Sequence, residues 1–320
     1  MLKKLFAISI IATLASTVLV TPSQAVTPST PTKALVTPAW LTANLKDPNL
    51  VLIHVGDNDR SVYARGHIEG AQFIDWKTEL ANSSESELKN GVVTRANFFR
   101  AARNFGISKN STVVLYSEGR SNLRATWGAW VFNLYGVPDV RILDGGLLAW
   151  TASGGATTLA IPAKRPQGSY VATAASKKLR ASINDVIANA KSKAKSRAVI
   201  VDTRDDASFA GTNTSTGLGN AAAAGHIASA KSIPTASILN SNGTFKSAAD
   251  IRAAYAAVGV TKDTPVILYC GTGLLASASW FALTQILGNT NVKNYDGSWF
   301  EFAAAAPADL IENPAAKVSS

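Results

Sequence analysis

The sequence predicts an α/β protein of two similar domains, each a parallel β-sheet flanked by helices. Three observations predict it. Short apolar runs alternate with helical stretches, the pattern of βαβ units. The motifs of the first half recur in the second at an offset of about 150 residues, which marks a duplicated domain rather than a short solenoid repeat. The chain has 320 residues, 47% apolar and 16% charged, which suits two cores at roughly 150 residues per domain and excludes a disordered chain.

Residues 1–25 read as a secretory signal peptide. Lys3 and Lys4 precede an apolar run from Leu5 to Val20, and Ser23-Gln24-Ala25 gives a small-x-small exit. The run is 16 residues long, short of the ~20 that span a bilayer. The expectation is an exported chain, periplasmic or secreted, that starts near Val26 and keeps no membrane span.

The first copy is expected over 26–155. Val51 to Val55 forms a strand and leads to Gly66-His67-Ile68. A helix follows from Ala96 to Gly106, then a strand from Val113 to Ser117, then a helical stretch with Trp127 and Trp130. The copy closes on Asp144-Gly145-Gly146 and Trp150. A linker is expected over 156–179, where Ala, Gly, Thr and Pro are dense. The second copy, 180–320, repeats the order: strand Val199 to Thr203, Gly225-His226-Ile227, helix Ala248 to Gly259, strand Val266 to Cys270, a helix with Trp280, and Asp296-Gly297-Ser298-Trp299.

Composition removes several chemistries. One Cys excludes an intramolecular disulfide and any Cys-only metal site. The three His, at 54, 67 and 226, are far apart, so no metal and no cofactor is expected. Lys plus Arg exceed Asp plus Glu by 31 to 21, and Lys164 to Arg197 alone holds nine basic residues and one acid. That stretch has only Tyr170 for base stacking. It reads as a solvated linker followed by an amphipathic helix, not as a nucleic-acid surface.

The chemistry-bearing segment is Leu268-Tyr269-Cys270-Gly271-Thr272-Gly273-Leu274-Leu275-Ala276. A buried strand ends at Cys270, and a helix starts near Leu274. Sites in open α/β sheets form at the carboxyl ends of strands. Gly271 and Gly273 allow the backbone to curl into an anion-binding nest, and the helix start adds its positive end. A thiol there is favoured as thiolate, its nucleophilic form. The plain alternative is a buried structural Cys.

With these residues in view, the chain resembles the tandem-domain rhodanese (sulfurtransferase) family over nearly its whole length. The resemblance rests on Asp202-Thr203-Arg204, both Gly-His-Ile segments, the Cys-Gly-Thr-Gly loop and Tyr295-Asp296-Gly297-Ser298-Trp299. It implies an inactive first copy, with Ser117 where Cys270 stands. It also implies sulfane sulfur transfer from thiosulfate or 3-mercaptopyruvate, through a Cys270 persulfide, to cyanide or a thiol. Gly271, Thr272, Gly273, Leu274, Leu275 and Ala276 would form the persulfide-binding loop.

The uncharged loop is similar to that of 3-mercaptopyruvate enzymes. Yet Ser208 and about Gly217 stand where those enzymes carry carboxylate-binding Arg residues. The resemblance further implies a proton relay of His67, Asp57 (or Asp59) and Thr272, against the simpler reading that the Gly-His-Ile histidines pin a turn. A phosphatase on the same fold needs Cys-x5-Arg, and Ala276 fills that Arg position. A non-enzymatic persulfide carrier or binding module, loaded by a protein partner, is the alternative. A protein sulfur acceptor fits either reading.

Overall fold

A computed structural model describes residues 29–57, 60–81, 91–119, 122–213 and 224–318. The expected signal segment and the start at Val26 lie outside the described residues, as do Asp59, Arg120, Ser121 and Gly217.

Two parallel sheets form the frame. In the first copy the strand order is Leu35–Val36, Val140–Leu143, Thr112–Tyr116, Leu50–Gly56, Gln72–Asp75. In the second it is Lys231–Ser232, Val199–Asp202, Val266–Tyr269, Val292–Asn294. A parallel bridge from Arg180 to Asn294 extends the second sheet where Leu35–Val36 extends the first. Strands such as Leu50–Gly56 and Val266–Tyr269 are buried along their whole length, which is why they read as continuous apolar runs rather than alternating ones. Helices pack on both faces, and apolar clusters lie on both sides of each sheet.

The Gly-His-Ile segments do the same work in both copies. His67–Ile68 pairs antiparallel with Thr157–Thr158, and His226–Ile227 pairs with Ile311–Glu312. Each imidazole Nδ1 lies against a carbonyl four or more residues back, Tyr63 O at 2.9 Å and Phe209 O at 2.7 Å. Each ring stacks on that residue's side chain at 3.7 Å. The following Ile N–H donates to a buried tyrosine hydroxyl, Tyr116 or Tyr269.

The chain after the first copy is exposed over most of its length, as its composition suggests, but it is tied to the domain at several points. Residues 159–176 have no regular structure, yet they lie along the first domain. Gly168 N–H donates to Arg103 O, Tyr170 N–H to Ile107 O and Thr173 N–H to Tyr135 O. Arg165 donates to the carbonyls of Leu50 and Pro48. These bonds hold the segment to the domain, and Tyr170 and Ala172 are buried against it. The basic residues beyond it flank the helix Ile183–Lys191, which Ser182 and Asp185 cap reciprocally.

The copies share a core. The helices Leu123–Leu134 and Leu274–Phe281 face each other across the junction, and one apolar cluster runs through both domains. Thr126 Oγ1 and Ser277 Oγ meet at 2.9 Å between those helices. A reciprocal clasp flanks them: Asp144 Oδ1 accepts the Phe245 N–H at 3.0 Å, and Asp296 Oδ2 accepts the Val92 N–H at 3.2 Å. Val92 and Phe245 are themselves equivalents, each bridged to a residue near the end of an irregular helix, Ala81 or Leu239. Nine of the 12 residues of Leu123–Leu134 are buried, because the helix packs on its own sheet and against the other domain. No helix among the described residues is long and apolar enough to cross a membrane.

Candidate active site at the Cys270 loop

Cys270 follows the central strand Val266–Tyr269 directly and is 1% exposed. The loop runs to Gly273, whose φ of +83° caps the helix Leu274–Phe281 in the left-handed region. A Cβ there would sit 2.9 Å from the Asp296 Cα and 2.9 Å from the Trp127 ring, so glycine is required by both torsion and space. Gly271, Thr272, Leu274 and Leu275 are half-buried, while Gly273 and Ala276 are buried.

The carbonyls of the loop are committed on one side. The start of the helix Ser298–Ala305 donates Trp299 N–H to Cys270 O at 3.0 Å and Phe300 N–H to Gly271 O at 3.1 Å. A trans peptide points its N–H opposite its C=O, so the amides of Gly271 and Thr272 face away from that helix. Ser298, at φ +51°, accepts the Cys270 N–H on its Oγ at 3.1 Å and donates to Tyr295 O at 2.7 Å. Asn294 donates to Gly273 O. Among the described residues, the six N–H groups from Gly271 to Ala276 find no protein acceptor. They are a concentrated set of donors in the loop that follows the cysteine, the kind of backbone nest that can bind an anion.

The cations near the strand ends are spoken for. Arg204 lies in the buried interior, its guanidinium on the Asp202 carboxylate at 2.6–3.1 Å and on Gly225 O at 2.7 Å. It sits 4.7 Å from the centre of the Trp299 ring. Burial alone would lower its pKa, but Asp202 more than offsets this and holds it above the ordinary value. Arg180 makes a two-point contact with Asp296 at 2.8 and 2.9 Å.

At the equivalent strand end of the first copy, the described residues bond to one another. Ser117 is fully buried, and its N–H and Oγ both donate to Asn122 Oδ1, at 2.8 and 2.9 Å. Asn122 Nδ2 in turn donates to Leu143 O. Glu118 turns inward to His54 Nε2 at 2.6 Å and to Arg124 Nη1 at 3.0 Å. Burial pushes the Glu118 carboxyl up, but the His54 hydrogen bond, a backbone amide and Arg124 outweigh it and leave it below the usual carboxylate range. His54 occupies the strand position of Asp202, opposite Tyr116 as Asp202 is opposite Tyr269. Glu118 therefore serves a cluster within its own domain rather than the domain interface.

The relay residues are not brought together. His67 has its nitrogens on Tyr63 O and Ala160 O. Asp57 accepts from Trp76 Nε1 at 2.8 Å and from Arg124 Nη2 at 2.5 Å. Among the described residues neither bonds to the other or to Thr272. The physical reason is the Gly-His-Ile turn itself, which uses the imidazole to close the backbone in both copies. Sequence reasoning missed Ser298, Asn294 and Trp127 as neighbours of the loop. Ser298 lies in the Asp-Gly-Ser-Trp motif, but nothing in that motif states which backbone group its hydroxyl takes.

The rhodanese-like domain model matches this chain twice, at residues 37–153 and 185–305. The chain belongs to the rhodanese family. It is a tandem sulfurtransferase of that family, with the cysteine in the second copy. A Thermus thermophilus protein named "Sulfur carrier protein TtuD" is 35% identical, over 89% of this chain and 97% of its own length. A Mycolicibacterium smegmatis protein named "Putative thiosulfate sulfurtransferase" is 36% identical, over 86% of this chain and 97% of its own. Among solved structures, YnjE superposes with a TM-score of 0.75 at 26% identity, over 88% of this chain and 68% of that one. A persulfide state of EanB with ergothioneine superposes with a TM-score of 0.75 at 22% identity, over 88% of this chain and 70% of that one. At that identity the EanB likeness is one of fold.

Proposed function

We propose that this rhodanese carries sulfane sulfur as a persulfide on Cys270, passing it from a small-molecule donor to a thiol or cyanide. The observation that supports this most is the run of six unclaimed amides beside the strand-end cysteine. In the first half-reaction the Cys270 thiolate attacks the outer sulfur of the donor. An S–S bond forms at Sγ, and the donor's remaining fragment leaves with the electron pair: sulfite from thiosulfate, pyruvate enolate from 3-mercaptopyruvate. In the second, the acceptor attacks the outer sulfur and Cys270 leaves as thiolate. This is covalent catalysis by an activated nucleophile. The amides stabilise the anion before and after transfer without reorganising.

A second reading has a specific basis. Among the described residues, the cations next to the site, Arg204 and Arg180, are tied to Asp202 and Asp296, and the loop carries no charge. A persulfide delivered by a protein partner needs no such cation, and TtuD carries the name of a sulfur carrier. Mass spectrometry after separate incubation with thiosulfate and with 3-mercaptopyruvate decides between them. A gain of one sulfur on Cys270 names the donor, with Cys270→Ser as the blank. No gain from either, with loading from a persulfidated protein, supports the carrier. Sulfur transfer surviving in Cys270→Ser overturns both. The segment 1–25 supports export, which amino-terminal sequencing of the periplasmic or secreted fraction tests.

A further inference from the structure

The cysteine-free copy touches the Cys270 loop at its pivot. Gly273 is the point where the loop turns into the helix, and its left-handed torsion decides where the amides on either side of it point. Its α-carbon is wedged between the Asp296 backbone and the edge of the Trp127 ring, each 2.9 Å from the place a Cβ would occupy. Trp127 belongs to the first copy and is fully buried. Its Nε1 points to Leu80 O at 3.4 Å, and its ring packs against that of Trp130 at 4.9 Å. The ring is thus held by its own domain while its far edge bears on the other.

Two further contacts frame the same pivot from the same side. One turn into each facing helix, Thr126 Oγ1 meets Ser277 Oγ, and the Ser277 N–H closes on Gly273 O at 3.1 Å. The Val92 N–H holds the Asp296 carboxylate, whose α-carbon forms the other wall of the wedge.

Resting on the sulfur-transfer reading above, we propose that Trp127 is a positioning residue for the Cys270 loop. Its ring keeps Gly273 in the one backbone geometry that gathers the loop amides around Sγ. The first copy is therefore part of the sulfur-transfer machinery, although it holds no nucleophile. Glycine is the residue most free to leave a given torsion, so a loop built on Gly273 needs a wall. Packing across the junction supplies that wall at no cost in side-chain chemistry within the loop.

The test compares two tryptophan substitutions within the first copy of the full chain. Trp127→Phe keeps an aromatic ring in the core but withdraws the edge that reaches Gly273. Trp150→Phe removes a similar amount of buried ring, and an Nε1 bond to Ala156 O at 2.8 Å, in a separate apolar cluster of the same copy that does not include Trp127. Both are measured at a temperature where circular dichroism shows each folded. The readouts are the rate of Cys270 alkylation by iodoacetamide across pH and the kcat for sulfur transfer with whichever donor loads the wild type.

Positioning predicts that Trp127→Phe lowers kcat by about tenfold and moves the alkylation profile to higher pH, while Trp150→Phe leaves both within about twofold. Thr126→Val, which keeps the side-chain shape and removes the hydroxyl, is expected to shift the profile in the same direction by less. Equal effects of the two Trp substitutions, or an unchanged alkylation profile in Trp127→Phe, overturn the proposal. The sulfur-transfer reading fails by a separate result, persistence of transfer in Cys270→Ser.

Discussion

The clasp between the domains offers a test in which the same substitution has opposite consequences in the two copies. Asp144 and Asp296 occupy equivalent positions, and each accepts one backbone N–H from the other domain. Asp296 is 1% exposed and carries the two-point contact with Arg180. Asp144 is 4% exposed and has hydrogen-bond donors but no cation among the described residues. Burial pushes the Asp144 carboxyl above the usual range, against the donors from Ser29, Phe245 and Gly145.

Asp296→Asn removes the anion and leaves the Arg180 guanidinium facing a neutral amide. The loss expected is about 3 kcal/mol, the low end for breaking a buried pair, because the Arg180 side chain is 36% exposed and water partly replaces the lost partner. For a chain of this size, at about 2.1 cal/mol/K of unfolding entropy per residue, that is a fall in melting temperature of roughly 5 °C. Asp144→Asn keeps an oxygen for the Phe245 N–H and removes an unpaired buried charge. It is expected to stay within about 1 kcal/mol of wild type at pH 7, on the stabilising side.

The pH dependence gives a second reading of the same pair. The folded carboxyl of Asp144 titrates above its unfolded value. Its contribution is therefore most favourable below the unfolded range and is lost as pH rises through the folded value. The advantage of Asp144→Asn should be present at neutral pH and vanish in acid below the ordinary carboxylate range. Differential scanning calorimetry from pH 3 to pH 8, roughly the span over which carboxylates pass from neutral to charged, measures both. Equal losses for the two substitutions, or a fall under about 2 °C for Asp296→Asn, would refute the reasoning.

Three other outcomes are expected. Arg204→Met leaves Asp202 buried without its partner and should cost about 3–5 kcal/mol in urea unfolding, a larger loss than Asp202→Leu combined with Arg204→Met in the same chain. Gly273→Ala forces a left-handed non-glycine against the Asp296 backbone and the Trp127 ring; a cost of about 1–3 kcal/mol and reduced sulfur loading of Cys270 are expected, read by calorimetry and mass spectrometry. Ser117→Ala should keep sulfur transfer within about twofold and cost about 1 kcal/mol, since among the described residues the hydroxyl bonds to Asn122 alone; a tenfold loss of transfer in a folded protein would assign the first copy a chemical role.

The sequence by itself carried the parts of this protein that depend on local pattern. The duplicated order of strands and helices was legible because buried parallel strands are continuous apolar runs and each is closed by a turn with its own residues. Cys270 was legible as a candidate because a thiol at a strand end, followed by two glycines and a helix start, concentrates donors within a few residues of chain. Ser117 was legible as its counterpart in the first copy by the same register.

What the tertiary structure decided are contacts between residues far apart in the chain. His67 and Asp57 look like relay partners in one dimension. In three dimensions the imidazole closes its own turn, and the carboxylate takes Trp76 and Arg124. Asn122 fills the first copy's loop from only five residues away, yet its role depends on a side-chain direction that spacing does not give. Trp127 against Gly273, and the crossed clasp of Asp144 and Asp296, join residues more than a hundred positions apart. Periodicity records which face of an element is buried, but not what it is buried against. The partner is chosen when the two domains close on each other, and there the large apolar helix of one copy meets the cysteine loop of the other.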